Sequence, residues 1–66
     1  MKVRELIKIM SPLEKVVVSY NASEFEAMKD EKISINQLSH RPDLMKREIQ
    51  VMYVSNADSL LHILCF

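Results

Sequence analysis

No glycine occurs anywhere in this chain of 66 residues. Glycine enters left-handed backbone geometry without steric cost, so it is the default residue at tight turns and wherever backbone must approach a ligand closely. Without it, asparagine and aspartate are expected to make the turns, because their short side chains tolerate positive φ. Asn21-Ala22 and Asn56-Ala57-Asp58 are the stretches where that chemistry separates runs rich in β-formers. The same absence excludes a phosphate-cradling glycine loop and a glycine-turned calcium loop.

The chain is expected to be one domain, residues 1–66. A core of this size rarely supplies more than about 3–5 kcal/mol without a disulfide, a metal or a partner. One cysteine cannot form an internal disulfide, and two histidines beside it are a poor metal kit. No cofactor is implied. Association with another chain is the remaining route, and a homo-oligomer, most simply a dimer, is expected. Hydrophobic residues make up 48% of the chain, too many for a disordered segment. Nine basic residues balance nine acidic ones, which argues against general nucleic-acid binding, since that needs a basic surplus to displace counterions. Arg41, Lys46 and Arg47 form the later of two small basic groups and are the candidate patch for a ligand or partner. Asp43 and Glu48 dilute it, so a solvated, charge-balanced face is the competing reading. The opening MKVRELIKIM mixes charged and apolar residues, unlike a secretion signal. No segment approaches the roughly 20 apolar residues that span a bilayer, and a lone cysteine suits a reducing compartment, so the cytoplasm is the expected location.

Val3, Leu6, Ile7 and Met10 form an i, i+3, i+4, i+7 stripe, which predicts a short amphipathic helix ended by Ser11-Pro12. KVVVSY, residues 15–20, is the clearest strand, and its unbroken valine run suits a central place in a sheet. Residues 23–38 admit two readings. Ser23 and Glu26 fit a capping box, whereas Phe25, Ala27 and Lys29 fit a strand paired back onto the valine strand, the reading preferred. Ile33, Ile35 and Leu38 then anchor a connecting segment to the core. Pro42 and Asp43 open a second short helix with Leu44 and Met45 turned inward. QVMYVS and SLLHILCF, split by the polar turn, form a terminal hairpin. The predicted fold class is α+β: a small, mainly antiparallel sheet of three or four strands packed against a short N-terminal helix, with a second short helix before the C-terminal hairpin.

No catalytic constellation assembles from these residues. His62 and Cys65 are three apart on a predicted strand and so face opposite ways. Cys65 suits a small buried hydrophobe better than a nucleophile. Ser39, His40 and Asp43 are close in sequence, but adjacency does not make a triad, and they are expected to satisfy backbone donors at the second helix start. Glu24, Glu26, Asp30 and Glu31 lack the ligand spacing of a calcium loop and read as a solvated edge that resists unwanted strand pairing.

MKVRELIKIMSPLEKVVVSY, a methionine-led amphipathic helix followed by a valine-rich strand, resembles the opening of short uncharacterised proteins from phage and prophage regions of Gram-positive bacteria. DLMKREIQVMYVSNADSLLHIL is similar to their closing pattern, a short turn and a terminal hairpin. The resemblance implies a virus-derived accessory protein that acts without catalysis by occupying a host protein, as an inhibitor or adaptor such as an anti-CRISPR protein. Its alternative is an oligomeric sponge for a nucleotide-like ligand. It carries over no functional residue.

SLLHILCF places Leu61, Ile63 and Cys65 on one strand face and Leu60, His62, Leu64 and Phe66 on the other. One short helix covers only one face of so small a sheet, so the second set is the expected self-association surface.

Overall fold

Three consecutive valines put one strand in the middle of the sheet. In a computed structural model that describes residues 1–66 except Ala22 and Glu24, the elements are α1 (Val3–Ile7), β1 (Lys15–Tyr20), β2 (Lys29–Ser34), α2 (Ile35–Leu38), α3 (Pro42–Met45), β3 (Ile49–Val54) and β4 (Leu61–Cys65). Strand order is β2-β1-β4-β3. β1 pairs antiparallel with β2 and parallel with β4, while β3 and β4 form the antiparallel terminal hairpin. The predicted α+β class holds, with one parallel seam inside a mainly antiparallel sheet.

Alternation along the strands separates the two faces. Val16, Val18 and Tyr20 of β1 lie level with Leu61 and Ile63 of β4 and Ile33 of β2 on the inner face. Val16, Val18 and Ile63 have no exposed surface. The three helices bury Val3, Leu6, Ile35, Leu38 and Leu44 against these residues in one core. None of the helices exceeds five residues, too short for independent stability, so burial against the sheet is what holds them. α1 ends regularly at Ile7 rather than Met10, although Ile7 and Met10 still pack on the core as the stripe requires. Glu5 Oε1 accepts the Lys2 N–H at 3.1 Å and so satisfies a free donor at the helix start.

Residues 23–38 resolve into both of the predicted possibilities at shifted positions. The arm is a strand, but it begins only at Lys29. Phe25 lies outside it, 92% exposed, where Ser23 Oγ accepts the Phe25 N–H at 3.4 Å and Ser23 O accepts the Glu26 N–H at 3.2 Å. The capping-box residues thus make a single turn. The expected turn at Asn21-Ala22 and the acidic position Glu24 involve residues outside those described. A working capping box stands later: Ser34 Oγ accepts the Gln37 N–H at 3.1 Å, and Gln37 Oε1 accepts the Ser34 N–H at 3.2 Å. It converts the expected connection into α2 and drives Ile35 and Leu38 into the core, where they are 1% and 0% exposed. Ser39 and His40 are corrected too. Ser39 Oγ donates to Asn36 O at 2.5 Å and His40 Nδ1 lies 2.8 Å from the same oxygen, so they close the end of α2 and do not cap α3.

Among the described residues, the one with positive φ is Ser59, at 59°, and not an asparagine or aspartate. Its N–H donates to Ser55 O at 2.8 Å, and Asp58 Oδ1 accepts the Leu60 N–H at 3.0 Å. Asp58 is thus occupied in closing the turn, and the left-handed position falls one residue later. A non-glycine residue there carries a steric cost of about 1–2 kcal/mol. Ser59→Gly is therefore expected to stabilise the fold by about 0.5–1 kcal/mol after the entropic cost of glycine. Denaturant unfolding checks this, and a destabilised variant would contradict it. Among the described residues no helix is long and apolar enough to cross a membrane.

Candidate functional site

Two regions stand out, one charged and one apolar. The charged region is built around Tyr20, the last residue of β1. Tyr20 Oη donates to Glu31 Oε1 at 2.6 Å, and Arg41 Nη1 donates to Glu31 Oε2 at 2.8 Å. Arg41 also grips Asp43, through Nε to Oδ1 at 3.3 Å and Nη2 to Oδ2 at 3.2 Å. The Arg47 guanidinium lies over the Tyr20 ring, 5.6 Å from its centroid, and Arg47 Nε donates to Asp43 O at 3.4 Å. The structure therefore brings Arg41 and Arg47 together around Tyr20 and Asp43. Lys46 stays exposed at the end of α3.

This cluster is internally satisfied. The Tyr20 hydroxyl, and after it Arg41, hold the Glu31 carboxyl below its usual range against some desolvation. Arg41 does the same for Asp43. The Arg41 guanidinium is held protonated by Asp43, Tyr20 and Glu31 in that order. Beside it lies a concavity of about 400 Å³ lined by Glu31, Lys32, Ile33, Gln37 and Arg41. Of the predicted patch only Arg41 reaches it, with its forks already engaged by two carboxylates. The arrangement is a clamp that ties α3 to β1 and β2. Sequence reading placed Glu31 on a solvated edge and missed it. The available signal was its period-two spacing from Ile33, which sets a carboxylate on the core side of the strand.

Because the folded pKa of Glu31 and Asp43 is depressed, the folded chain binds fewer protons than the unfolded one in the window between the two values. Stability from the clamp is complete above the ordinary carboxylate range, about pH 4, and is lost as pH falls through the folded values. Glu31→Gln is expected to cost about 1 kcal/mol at neutral pH, discounted for the exposure of the pair, and to flatten the acid limb of the melting profile. An acid limb as steep as that of the native sequence would remove Glu31 from this role.

The apolar region lies at the opposite side of the sheet. On the outer face, register aligns Lys32, Val17, His62 and Tyr53 in one row and Asp30, Ser19, Leu64 and Val51 in the next. Polar character thus declines from β2 toward β3. The Tyr53 ring stacks on His62 with centroids 5.1 Å apart, and His62 Nε2 lies 2.9 Å from Asp58 Oδ2. The Leu60 N–H and then His62 hold the Asp58 carboxyl below its usual range. Leu60, His62 and Leu64 are half-buried and Phe66 is 56% exposed. β4 is flanked on both sides by strands, so its backbone is engaged and only these outward side chains are available.

The strand that presents most apolar surface is β3, which the sequence reading did not single out. Val51, Met52, Tyr53 and Val54 are 47%, 43%, 54% and 65% exposed. The helices cover β2, β1 and β4 on the inner face but leave Met52 and Val54 open. Beyond Ile49, which packs against the core, β3 is thus largely exposed on both faces.

Cys65 is on the inner face with no exposed surface, and its Sγ donates to Ser19 O at 3.8 Å. Burial pushes its thiol pKa up, with Arg47 opposing the shift. It shares no face with His62, as the strand spacing predicts. A thiol reagent is expected to modify Cys65 roughly a hundredfold more slowly in the native protein than in denaturant, and rapid native modification would contradict this burial. Among the described residues no three His, Cys, Asp or Glu side chains gather as metal ligands would.

Comparison with family models, with curated proteins and with solved structures found no match to this chain.

Proposed function

We propose that this chain is a non-enzymatic interaction protein that associates with itself and occupies the surface of another protein, as an inhibitor or adaptor. The observation that carries the reading is the exposed, uncharged β3 beside the apolar half of the outer sheet face. Half-exposed aliphatic and aromatic side chains on a sheet edge are a liability in a monomer, and they are kept where another chain covers them. The chain's likeness to short phage and prophage proteins suggests a host protein as the partner and an anti-defence role, such as anti-CRISPR activity, as its setting. The cytoplasm of the host cell would then be where it acts.

A ligand sponge gains less support. Its cationic groups would have to face a nucleotide, yet Arg41 is committed to Glu31 and Asp43, and Arg47 to the Tyr20 ring.

Light scattering after size exclusion is expected to give a mass above 7.7 kDa at micromolar concentration. Affinity capture from a bacterial lysate is expected to recover a protein, and Leu64→Glu, on the outer face, to reduce that recovery about tenfold, as for a contact-centre residue. A stable monomer at all concentrations would sink the self-association half of the proposal. Recovery of a nucleotide without protein would favour the sponge.

A further inference from the structure

The geometry points to β3 as the seam between two copies of this chain, paired antiparallel across a two-fold axis at Met52. This rests on the self-association proposed above and adds where, and in what register, the copies meet.

Backbone direction identifies the available groups. The Ser55 N–H donates to Leu60 O at 3.1 Å, so Ser55 faces β4. Partners alternate along an antiparallel ladder. With Tyr53 opposite His62 and Val51 opposite Leu64, those two residues also direct their backbone groups to β4. Met52 and Val54 direct theirs to the open edge. The other end of the edge is already taken. The Ile49 N–H donates to Met1 O at 2.8 Å and the Val3 N–H to Arg47 O at 3.0 Å, so the N-terminal segment covers β3 as far as Ile49. The ladder shifts register between Ile49 and Val51, which leaves Gln50 in a bulge, so the regular open window runs from Val51 to Val54 and Met52 is its first outward-directed residue.

A strand that fits this window must be short, uncharged and apolar on both faces, which β3 itself is. Two-fold pairing at Met52 joins the outward backbone groups of Met52 in the two copies. It sets Met52 opposite Met52 and Val51 opposite Tyr53 of the second copy. Val51 and Tyr53 then form aromatic-to-β-branched pairs on the outer face, a favoured cross-strand combination, and no like charges meet. The other edge is built oppositely. β2 carries Lys29, Asp30, Glu31 and Lys32. Antiparallel self-pairing centred between Asp30 and Glu31 would set lysine against lysine and carboxylate against carboxylate. The apolar edge therefore offers a copy a contact that the charged edge does not, and one such contact per protomer makes a dimer with an eight-stranded sheet. An edge contact of this length lies at the small end of specific interfaces, below about 1,200 Å² in total. A dimer with a dissociation constant of roughly 1–100 μM is expected.

Met52→Lys and Met52→Glu test the seam with minimal damage to the protomer, because the side chain is 43% exposed and its backbone groups do not pair with β4. Analytical ultracentrifugation of the native chain should show reversible dimerisation. Each variant alone should weaken it by roughly tenfold or more, since like charges then sit directly opposite across the axis. Mixing the two should restore a dimer by setting lysine against glutamate, while circular dichroism shows both variants folded. A lysine variant that dimerises like the native chain overturns the seam but leaves self-association through the outer face standing. A monomeric native chain overturns both. A mixture that fails to recover although both variants are folded overturns the Met52 register.

Discussion

The parallel pairing of β1 with β4 joins residues 16–19 to residues 61–64, and the rest of the structure depends on it. Without it the chain is two hairpins, β1 with β2 and β3 with β4, each marginal in water. The seam puts Val18 beside Ile63 in the fully buried centre, and the Cys65 thiol reaches Ser19 O across it. The buried helix residues Val3, Leu6, Ile35, Leu38 and Leu44 join Val16, Val18 and Ile63 of the paired strands in one core. Because the contact links opposite ends of the chain, its loop-closure entropy must be met before the core repays it, so folding is expected to be cooperative rather than stepwise.

The helix layer then decides which surfaces remain. Short helices cover a sheet about three strands wide, and the fourth strand projects beyond them. Beyond Ile49, β3 pairs with β4 alone, and its inner-face residues Met52 and Val54 remain 43% and 65% exposed. At the other border α2 and α3 stand over β1 and β2, and the Tyr20–Glu31–Arg41–Asp43 cluster locks them there. The two sides of one small sheet have therefore been finished by different means, charge pairing on one and bare apolar surface on the other.

Much of this was legible in the sequence wherever a period was strong. The stripe of Val3, Leu6, Ile7 and Met10, the valines of β1 and the polar turn between β3 and β4 each agree with the neighbouring punctuation, and each element formed, although α1 ends at Ile7 and the turn takes its left-handed residue at Ser59. The middle was illegible for a local reason. Two capping boxes compete, at Ser23–Glu26 and Ser34–Gln37, and only the second is followed by apolar residues that the core needs. The left-handed turn was assigned to asparagine or aspartate by intrinsic preference, but Asp58 is held by the Leu60 N–H, and Ser59 takes the position instead. The expected association surface named β4 side chains because burial on both strand faces was legible. Which strand lies at an edge is a property of topology, and the sequence does not reveal that β4 is inserted between β1 and β3.

Charge placement carries the last step. The chain has as many acidic as basic residues, yet they are not evenly spread over the strands. β2 reads KDEKIS and β3 reads IQVMYV. If both edges met only water, the same protection would be needed on each, and a single lysine in β3 would supply it at little cost to the protomer, because its residues there are half-exposed already. Its absence from one edge, with a charged run on the other, is the asymmetry on which the proposed seam at β3 rests. The clamp reinforces this division, since it fixes Glu31 and Arg41 beside the polar edge and keeps their charges away from the apolar one. The two edge strands of this sheet thus differ in kind, and an apolar strand would meet charge along β2 and none along the open stretch of β3.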